Sequence, residues 1–288
     1  MARPEGISKS QMQRLGKRIA PEGTVAPADL ALLRIVFDHY QSAMQEMHGK
    51  VEPVVDQFGR SQNLNLVVTS RLKNTETIRE KIRRMSTNFA RMEDVAGLRI
   101  VGTDGLMTLY DQDELCQRIV RAVGQDALIN YVDRRTDPRA GYRAVHLIVE
   151  CADVPVEIQV RTALQDAWAQ LYEKCGDSWG REIRYGEALR HADEPAGVMP
   201  GTRQQAIDFM LRLSKQTEQL ELVACRLQDL ELHFSNATDQ PLSDNDILDR
   251  DEERRQSVAE AKSMYRELHD QMMQDLLSRL GSFDEEGA

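Results

Sequence analysis

Two runs of residues, Val145-His-Leu-Ile-Val-Glu-Cys151 and Val154-Pro-Val-Glu-Ile-Gln-Val160, are separated only by Ala152-Asp153. Both are rich in β-branched side chains, and a two-residue connection leaves them no arrangement except an antiparallel hairpin, with strands predicted at Arg143–Cys151 and Val154–Val160. In the second strand, alternation sends Glu157, Gln159 and Arg161 to one face and Val156, Ile158 and Val160 to the other. A glutamate and an arginine turned the same way from a sheet are costly if buried without partners. Solvent or a ligand must meet that face, and we read it as the wall of a ligand cavity.

The rest of the chain supplies the partners of this hairpin. Apolar residues recur at helical spacing over residues 28–58 (Leu30, Leu33, Val36, Phe37, Tyr40, Met44, Met47), which predicts one or two leading helices ending near Gly49–Pro53 or shortly beyond. Leu64–Val68 has strand character and runs into Arg71-Leu72-Lys73, before a helix opened by Thr75. Leu98–Val101 predicts a strand, residues 111–123 a helix and Ala127–Val132 a strand. A helix begins at Thr162 with Leu164, Trp168 and Leu171, and long helical patterns cover 202–233 and 253–280, separated by Ser235–Leu242. This order predicts an α/β (α+β) fold, a mixed sheet of four to five strands with flanking helices, plus a helical C-terminal extension. The expected divisions are an N-terminal helical segment at 1–60, a central domain at 61–195 and the extension at 196–288.

Composition bounds the function. At 288 residues, 41% hydrophobic and 29% charged, the chain can bury a sizeable core, and no apolar run approaches the roughly 20 residues of a membrane-spanning helix. The N-terminus lacks the apolar stretch of a secretory signal, so a cytoplasmic location without membrane association is expected. Cys116, Cys151, Cys175 and Cys225 are scattered without a C-x-x-C pair, which argues against a zinc site and a disulfide framework. The net charge is −10, and Asp239–Ala288 with 6 basic and 14 acidic residues carries −8 of it. Between Arg60 and Asp104 there are 9 basic and 5 acidic residues, a local excess suited to a small polyanionic ligand.

Four clusters could carry chemistry. Arg71-x-Lys73 follows a strand and Lys81 lies in the next helix, placing cations at a sheet edge where phosphates bind. Taken alone with Arg79, Arg83 and Arg84, they equally describe a solvated basic helix face. Asp94, in the run Arg91–Arg99, stands at the entrance to a strand as a hard-metal ligand would, or as an ordinary turn aspartate. The loop Arg134–Arg143 holds four arginines and ends in Gly141-Tyr142, cations for phosphate beside a ring on which a base can stack. His146, four positions after Tyr142, shares its strand face; a core histidine and a surface tyrosine are the plainer alternative. The fourth cluster is Glu157-Ile158-Gln159-Val160-Arg161-Thr162.

In this order the clusters resemble the synthetase domain of RelA/SpoT-type alarmone synthetases, from about Leu64 to Lys174. The R-x-K with its following lysine, the D-x-x-G-x-R strand start, G-Y-R-A-V-H and E-I-Q-V-R-T carry the resemblance. It implies a nucleotidyltransferase-like fold and an enzyme of the stringent response that transfers the β,γ-pyrophosphate of ATP to the 3′-hydroxyl of GDP or GTP, with Mg²⁺. It further implies that Asp94 and Glu157 hold the metal and that Glu157 deprotonates the ribose hydroxyl. Arg71 would pack on adenine, and Lys73, Lys81, Arg99 and Arg161 would contact ATP phosphates. Tyr142 would stack on the acceptor base, with Arg139, Arg143, His146 and Gln159 completing the acceptor pocket. Pyrophosphoryl transfer needs charge neutralisation and in-line positioning more than covalent help, which fits this equipment.

The sequence also departs from that pattern. Guanine-specific members carry Pro-Lys-x-Asn-Gly-Tyr, whereas this chain reads Asp137-Pro138-Arg139-Ala140-Gly141-Tyr142. Divergent single-domain members that resemble it here include toxins acting on adenine nucleotides or the 3′ end of tRNA, so a toxin with those acceptors is the alternative expectation. No hydrolase motifs precede the match, since the one His-Asp pair is His269-Asp270, and a small stand-alone synthetase is expected. Amphipathic spacing at Leu213, Leu220, Val223, Leu227 and Leu230 offers a face for homo-oligomer formation or a cover over the active site.

Overall fold

The structure is a computed structural model and describes residues 8–85, 88–237 and 245–286. Ser8 caps α1 (Lys9–Ile19): its hydroxyl accepts from the Gln11 backbone N–H, while the Gln11 side chain accepts from the Ser8 N–H. Helix α2 (Pro27–Gln62) begins at a proline, where the missing N–H is harmless, and ends at left-handed Asn63. It continues well past Pro53 because its buried stripe does: Val51, Val55 and Phe58 are each 0% exposed. Their burial outweighs an interior proline's penalty of roughly 3 kcal/mol.

Next come β1 (Leu66–Leu72), α3 (Thr75–Met85), β2 (Ala96–Gly102), α4 (Leu109–Val123), β3 (Leu128–Asp133), β4 (Val145–Cys151) and β5 (Val154–Arg161). The five strands form one mixed sheet in the order β1-β2-β5-β4-β3. The predicted hairpin is present: β4 and β5 are antiparallel, with His146 opposite Gln159 and Ile148 opposite Glu157. Its two turn residues, Ala152 and Asp153, both have positive φ (49° and 62°), as a two-residue turn matching the strand twist requires. Val154, Val156, Ile158 and Val160 are buried and alternate with half-buried Glu157 and Gln159.

Helix α5 (Ala163–Trp179) starts at Thr162, whose capping box with Gln165 closes the first turn. Helices α6 (Arg203–Ala237) and α7 (Asn245–Glu286) realise the two long C-terminal patterns, α6 running further at its C-terminal end and α7 at both ends. Of the separator expected at Ser235–Leu242, the part beyond Ala237 lies outside the described residues.

Packing divides the chain into two compact units that interleave in sequence. The first comprises Met1–Val101, Glu114–Val132 and Val145–Val160. There α2 packs on β1 and β4, and Tyr40, Met47, Phe58, Leu98, Ile100, Leu147 and Ile158 form a buried interior. The second comprises Gly102–Asp113, Asp133–Ala144 and Arg161–Ala288. In it α5, α6 and α7 pack together around Trp168, which stacks on Tyr172 (centroids 4.7 Å apart) and donates its indole N–H to the Met210 carbonyl at 2.7 Å. The four cysteines are buried, and none of them forms a disulfide. Among the described residues, no helix is long and apolar enough to cross a membrane.

Candidate active site

In the first unit, the hairpin and its neighbour β2 assemble one polar cluster. Asp94 stands in the turn just before β2, and Glu157 lies on the adjacent strand β5. Gly97 permits that proximity, because a Cβ there would sit 3.1 Å from the Glu157 carbonyl oxygen. The turn is tied to the end of β1 by Lys73 N–H donating to the Val95 carbonyl at 2.8 Å. Helix α3 is capped by Asn74, whose Oδ1 accepts from the Thr77 N–H at 2.8 Å, and it brings Lys81 back over the same turn. Lys81 Nζ therefore lies 2.5 Å and Lys73 Nζ 3.5 Å from Asp94 Oδ2.

On the hairpin, His146 and Gln159 are cross-strand partners, and both reach Glu157. His146 Nδ1 is 2.8 Å from Glu157 Oε1, and Gln159 Nε2 donates to Oε2 at 2.9 Å. Arg99 is half-buried on β2, and Arg71 is exposed near the end of β1.

The electrostatics of the two carboxylates follow from these contacts. Burial of Asp94 works against its charge, but attraction and hydrogen bonding from Lys73 and Lys81 outweigh it and hold the carboxyl below its ordinary value. For Glu157 burial again opposes ionisation, and the charge of Asp94 adds to that opposition. The His146 and Gln159 contacts prevail and hold Glu157 below the ordinary range. Glu157 therefore feels the charge of Asp94 across the two strands. Tyr40 of α2 also senses the cluster: burial first, and Asp94 second, raise its phenol.

The donor set fits a divalent hard cation. Asp94 Oδ1 is buried and has no hydrogen-bond partner among the described residues, so one carboxylate oxygen points where no protein group satisfies it. No group of three or more His, Cys, Asp or Glu that could hold a metal exists among the described residues. Two carboxylates without a complete protein cage are the pattern of Mg²⁺, which keeps waters and takes its other oxygens from substrate phosphates.

The remaining predicted residues belong to the second unit. Arg161 is 2% exposed: Nη1 donates to Asp166 Oδ1 at 2.8 Å, Nη2 donates to the Tyr142 hydroxyl at 2.8 Å, and the guanidinium carbon lies 5.1 Å from the Tyr142 ring centroid. The phosphate contact implied for Arg161 is not what its surroundings offer, since its charge is balanced by an aspartate in the first turn of α5. Arg143 is likewise buried and donates to Ser214 Oγ (3.1 Å), the Arg135 carbonyl and Glu218 Oε2 (2.9 Å), so it braces α6 and does not face solvent. Arg139 is exposed, its guanidinium 5.4 Å from the Tyr185 centroid. Tyr142 is half-buried against the helical core.

Sequence reading missed Asp166, although an acid in the first turn of a helix directly after a buried arginine is a legible signal. It also missed Tyr40, Ser214, Glu218 and Glu221, which local sequence does not connect to the cluster residues.

A five-stranded mixed sheet carries two carboxylates beside lysines, and its fold is shared with known structures. The small alarmone synthetase 1 of Bacillus subtilis is 21% identical and superposes with a TM-score of 0.52 over 67% of this chain and 94% of that one. Small alarmone synthetase 2 of the same organism gives 21% and 0.50, over 66% and 94%. An uncharacterized protein of Mycobacterium tuberculosis, Rv1366, is 35% identical over 205 residues, 70% of each chain. Residues 70–175 match the family described as the region found in RelA/SpoT proteins. The chain belongs to the RelA/SpoT family of pyrophosphotransferases.

Proposed function

We propose that this protein transfers the β,γ-pyrophosphate of ATP to the 3′-hydroxyl of GDP or GTP, making a guanosine 3′-diphosphate alarmone. The observation that carries the reading is that Asp94, just before β2, stands beside Lys73 and Lys81 while Glu157 on the neighbouring strand β5 feels its charge. It is supported by family membership and by a fold shared with the B. subtilis small alarmone synthetase 1, a structure of which is bound to its product pppGpp.

In this reading Asp94, with its unsatisfied Oδ1, and Glu157 hold Mg²⁺, which supplies charge neutralisation of the triphosphate. Lys73, Lys81 and Arg99 bind the phosphates, and Arg71 packs on adenine. Glu157, kept ionised by His146 and Gln159, accepts the proton of the attacking 3′-hydroxyl. A bond forms between the 3′-oxygen and the β-phosphorus as the bond from that phosphorus to the α,β-bridging oxygen breaks. AMP leaves with that oxygen. Tyr142 stacks on the acceptor base, with exposed Arg139 beside it. Arg161 and Arg143 act as braces of Tyr142 and its loop.

The test incubates the purified protein with labelled ATP and Mg²⁺, separately with GDP, GTP, AMP, ADP and deacylated tRNA. Label is expected in a guanine product, with transfer abolished by Glu157→Gln, Asp94→Asn or chelation of the metal. Transfer to tRNA or an adenine nucleotide alone would replace the guanine assignment, and no transfer to any acceptor would overturn the reading.

A further inference from the structure

Glu221 is a buried acid that the chemistry above does not use. It lies on α6, 4% exposed, and its Oε1 accepts a hydrogen bond of 2.5 Å from the Thr162 hydroxyl. Thr162 is the N-cap of α5, its Oγ accepting from the Gln165 N–H at 3.3 Å. The Gln165 side chain returns the bond to the Thr162 N–H at 3.3 Å and accepts from Gln112 Nε2 at 3.0 Å. In the same first turn Asp166 holds Arg161, and Arg161 holds the Tyr142 hydroxyl and ring. These contacts, joined through the first turn of α5 where the Asp166 N–H donates to the Thr162 carbonyl at 3.0 Å, connect the carboxyl on α6 to the aromatic ring.

The surroundings of Glu221 do not fix its charge. Arg143 and Arg135, from the loop between β3 and β4, favour the carboxylate, but their donors are already engaged. Arg143 bonds Ser214, Glu218 and the Arg135 carbonyl, and Arg135 bonds Asp133 and Asp113. Glu218 and Cys225 lie one turn away on α6, and Tyr265 faces it from α7, its phenol raised by burial and by the Glu221 charge. Thr162 and Gln165 are neutral. Burial pushes the Glu221 carboxyl up to about 7 despite the Thr162 bond, the nearby Gln165 amide and the two arginines. As a carboxylate it accepts from the cap hydroxyl and complements the positive end of α5; as an acid it carries a donor of its own, and the cap must readjust.

We propose that Glu221 is a positioning residue whose protonation sets the Tyr142 ring through the first turn of α5 and so tunes affinity for the acceptor nucleotide. This rests on the reading of Tyr142 as the acceptor platform. A purely structural hydrogen-bond acceptor would be served equally by glutamine at every pH, whereas an ionisable group ties the ring to pH.

The experiment follows two signals from pH 5.5 to 8.5. The first is the KM for the working acceptor at saturating ATP, beside the KM for ATP. The second is the emission of Trp168, which lies against Gly141 next to Tyr142, read in a Trp179→Phe background where it is the one tryptophan left. Acceptor KM should change on the order of fivefold with a midpoint near neutral pH, and Trp168 emission should titrate with it, while the KM for ATP stays flat. Glu221→Gln should flatten both profiles, and Thr162→Val, which removes the hydroxyl and keeps the shape, should do the same. Unchanged profiles in both variants overturn the proposal, as does a lowered kcat or stability with the profile shape intact. If no acceptor is used at all, the function assignment fails separately, and the emission titration still decides whether Glu221 is coupled to the Tyr142 loop.

Discussion

Replacing Arg161 by methionine isolates the ion pair that most distinguishes the second unit. The Arg161 side chain is 2% exposed and that of Asp166 12%, with 2.8 Å between their charged atoms. Removing one partner of a buried pair leaves the other's desolvation uncompensated, about 3–5 kcal/mol. Asp166 keeps the Gln170 amide at 2.6 Å, which places Arg161→Met near the low end, about 3 kcal/mol or roughly a hundredfold in the unfolding equilibrium. In the double variant Arg161→Met/Asp166→Asn no unpaired charge remains, and most of that loss, about 2 kcal/mol, should return. Urea unfolding followed by tryptophan emission is a direct readout, because Trp168 and Trp179 both belong to this unit. A single variant that loses less than about 1 kcal/mol, or a double variant whose loss equals the sum of the singles, would refute a pair held by mutual compensation.

Gly141→Ala should lose about 2–4 kcal/mol in the same assay, since φ is +85° and the added Cβ would meet the Trp168 ring at 2.9 Å and Leu211 at 3.1 Å. An unchanged midpoint would mean the Tyr142 loop does not need its left-handed glycine. Asp94 and Glu157 both have depressed folded-state values, so their contribution to stability is fully present above the ordinary 3.8 and 4.5 and is lost as pH falls through the lower folded values. Asp94→Asn should therefore flatten the acid limb of the stability profile, and an acid limb identical to wild type would show that Lys73 and Lys81 do not stabilise the carboxylate. Glu221 has the opposite sign: its raised value predicts that the folded state weakens between pH 4.5 and about 7, and Glu221→Gln should remove that decline. A decline persisting in that variant would assign it to other groups.

Much of the scaffold was legible because its causes are local. Alternation from Val154 to Val160, with Ala152-Asp153 as a two-residue turn, prescribes a hairpin whatever surrounds it, and the Thr162–Gln165 capping box marks where α5 starts. Placing Asp94 just before a glycine-bearing strand likewise followed from spacing alone. The length of α2 was less legible, because Pro53 is a stop signal locally and is overridden only by the burial of Val55 and Phe58.

Which charges meet was decided by the tertiary structure. By alternation Arg161 belongs with Glu157 and Gln159, yet its charge is balanced by Asp166 and the ring of Tyr142, while Glu157 is held by His146 from the neighbouring strand. Arg143 looked like an acceptor ligand and instead braces Ser214 and Glu218, and Glu221 meets Thr162 from a helix far along the chain. Strand alternation, caps and turns are set by neighbours within a few residues, whereas pairing and desolvation of charges depend on which distant segments close around them.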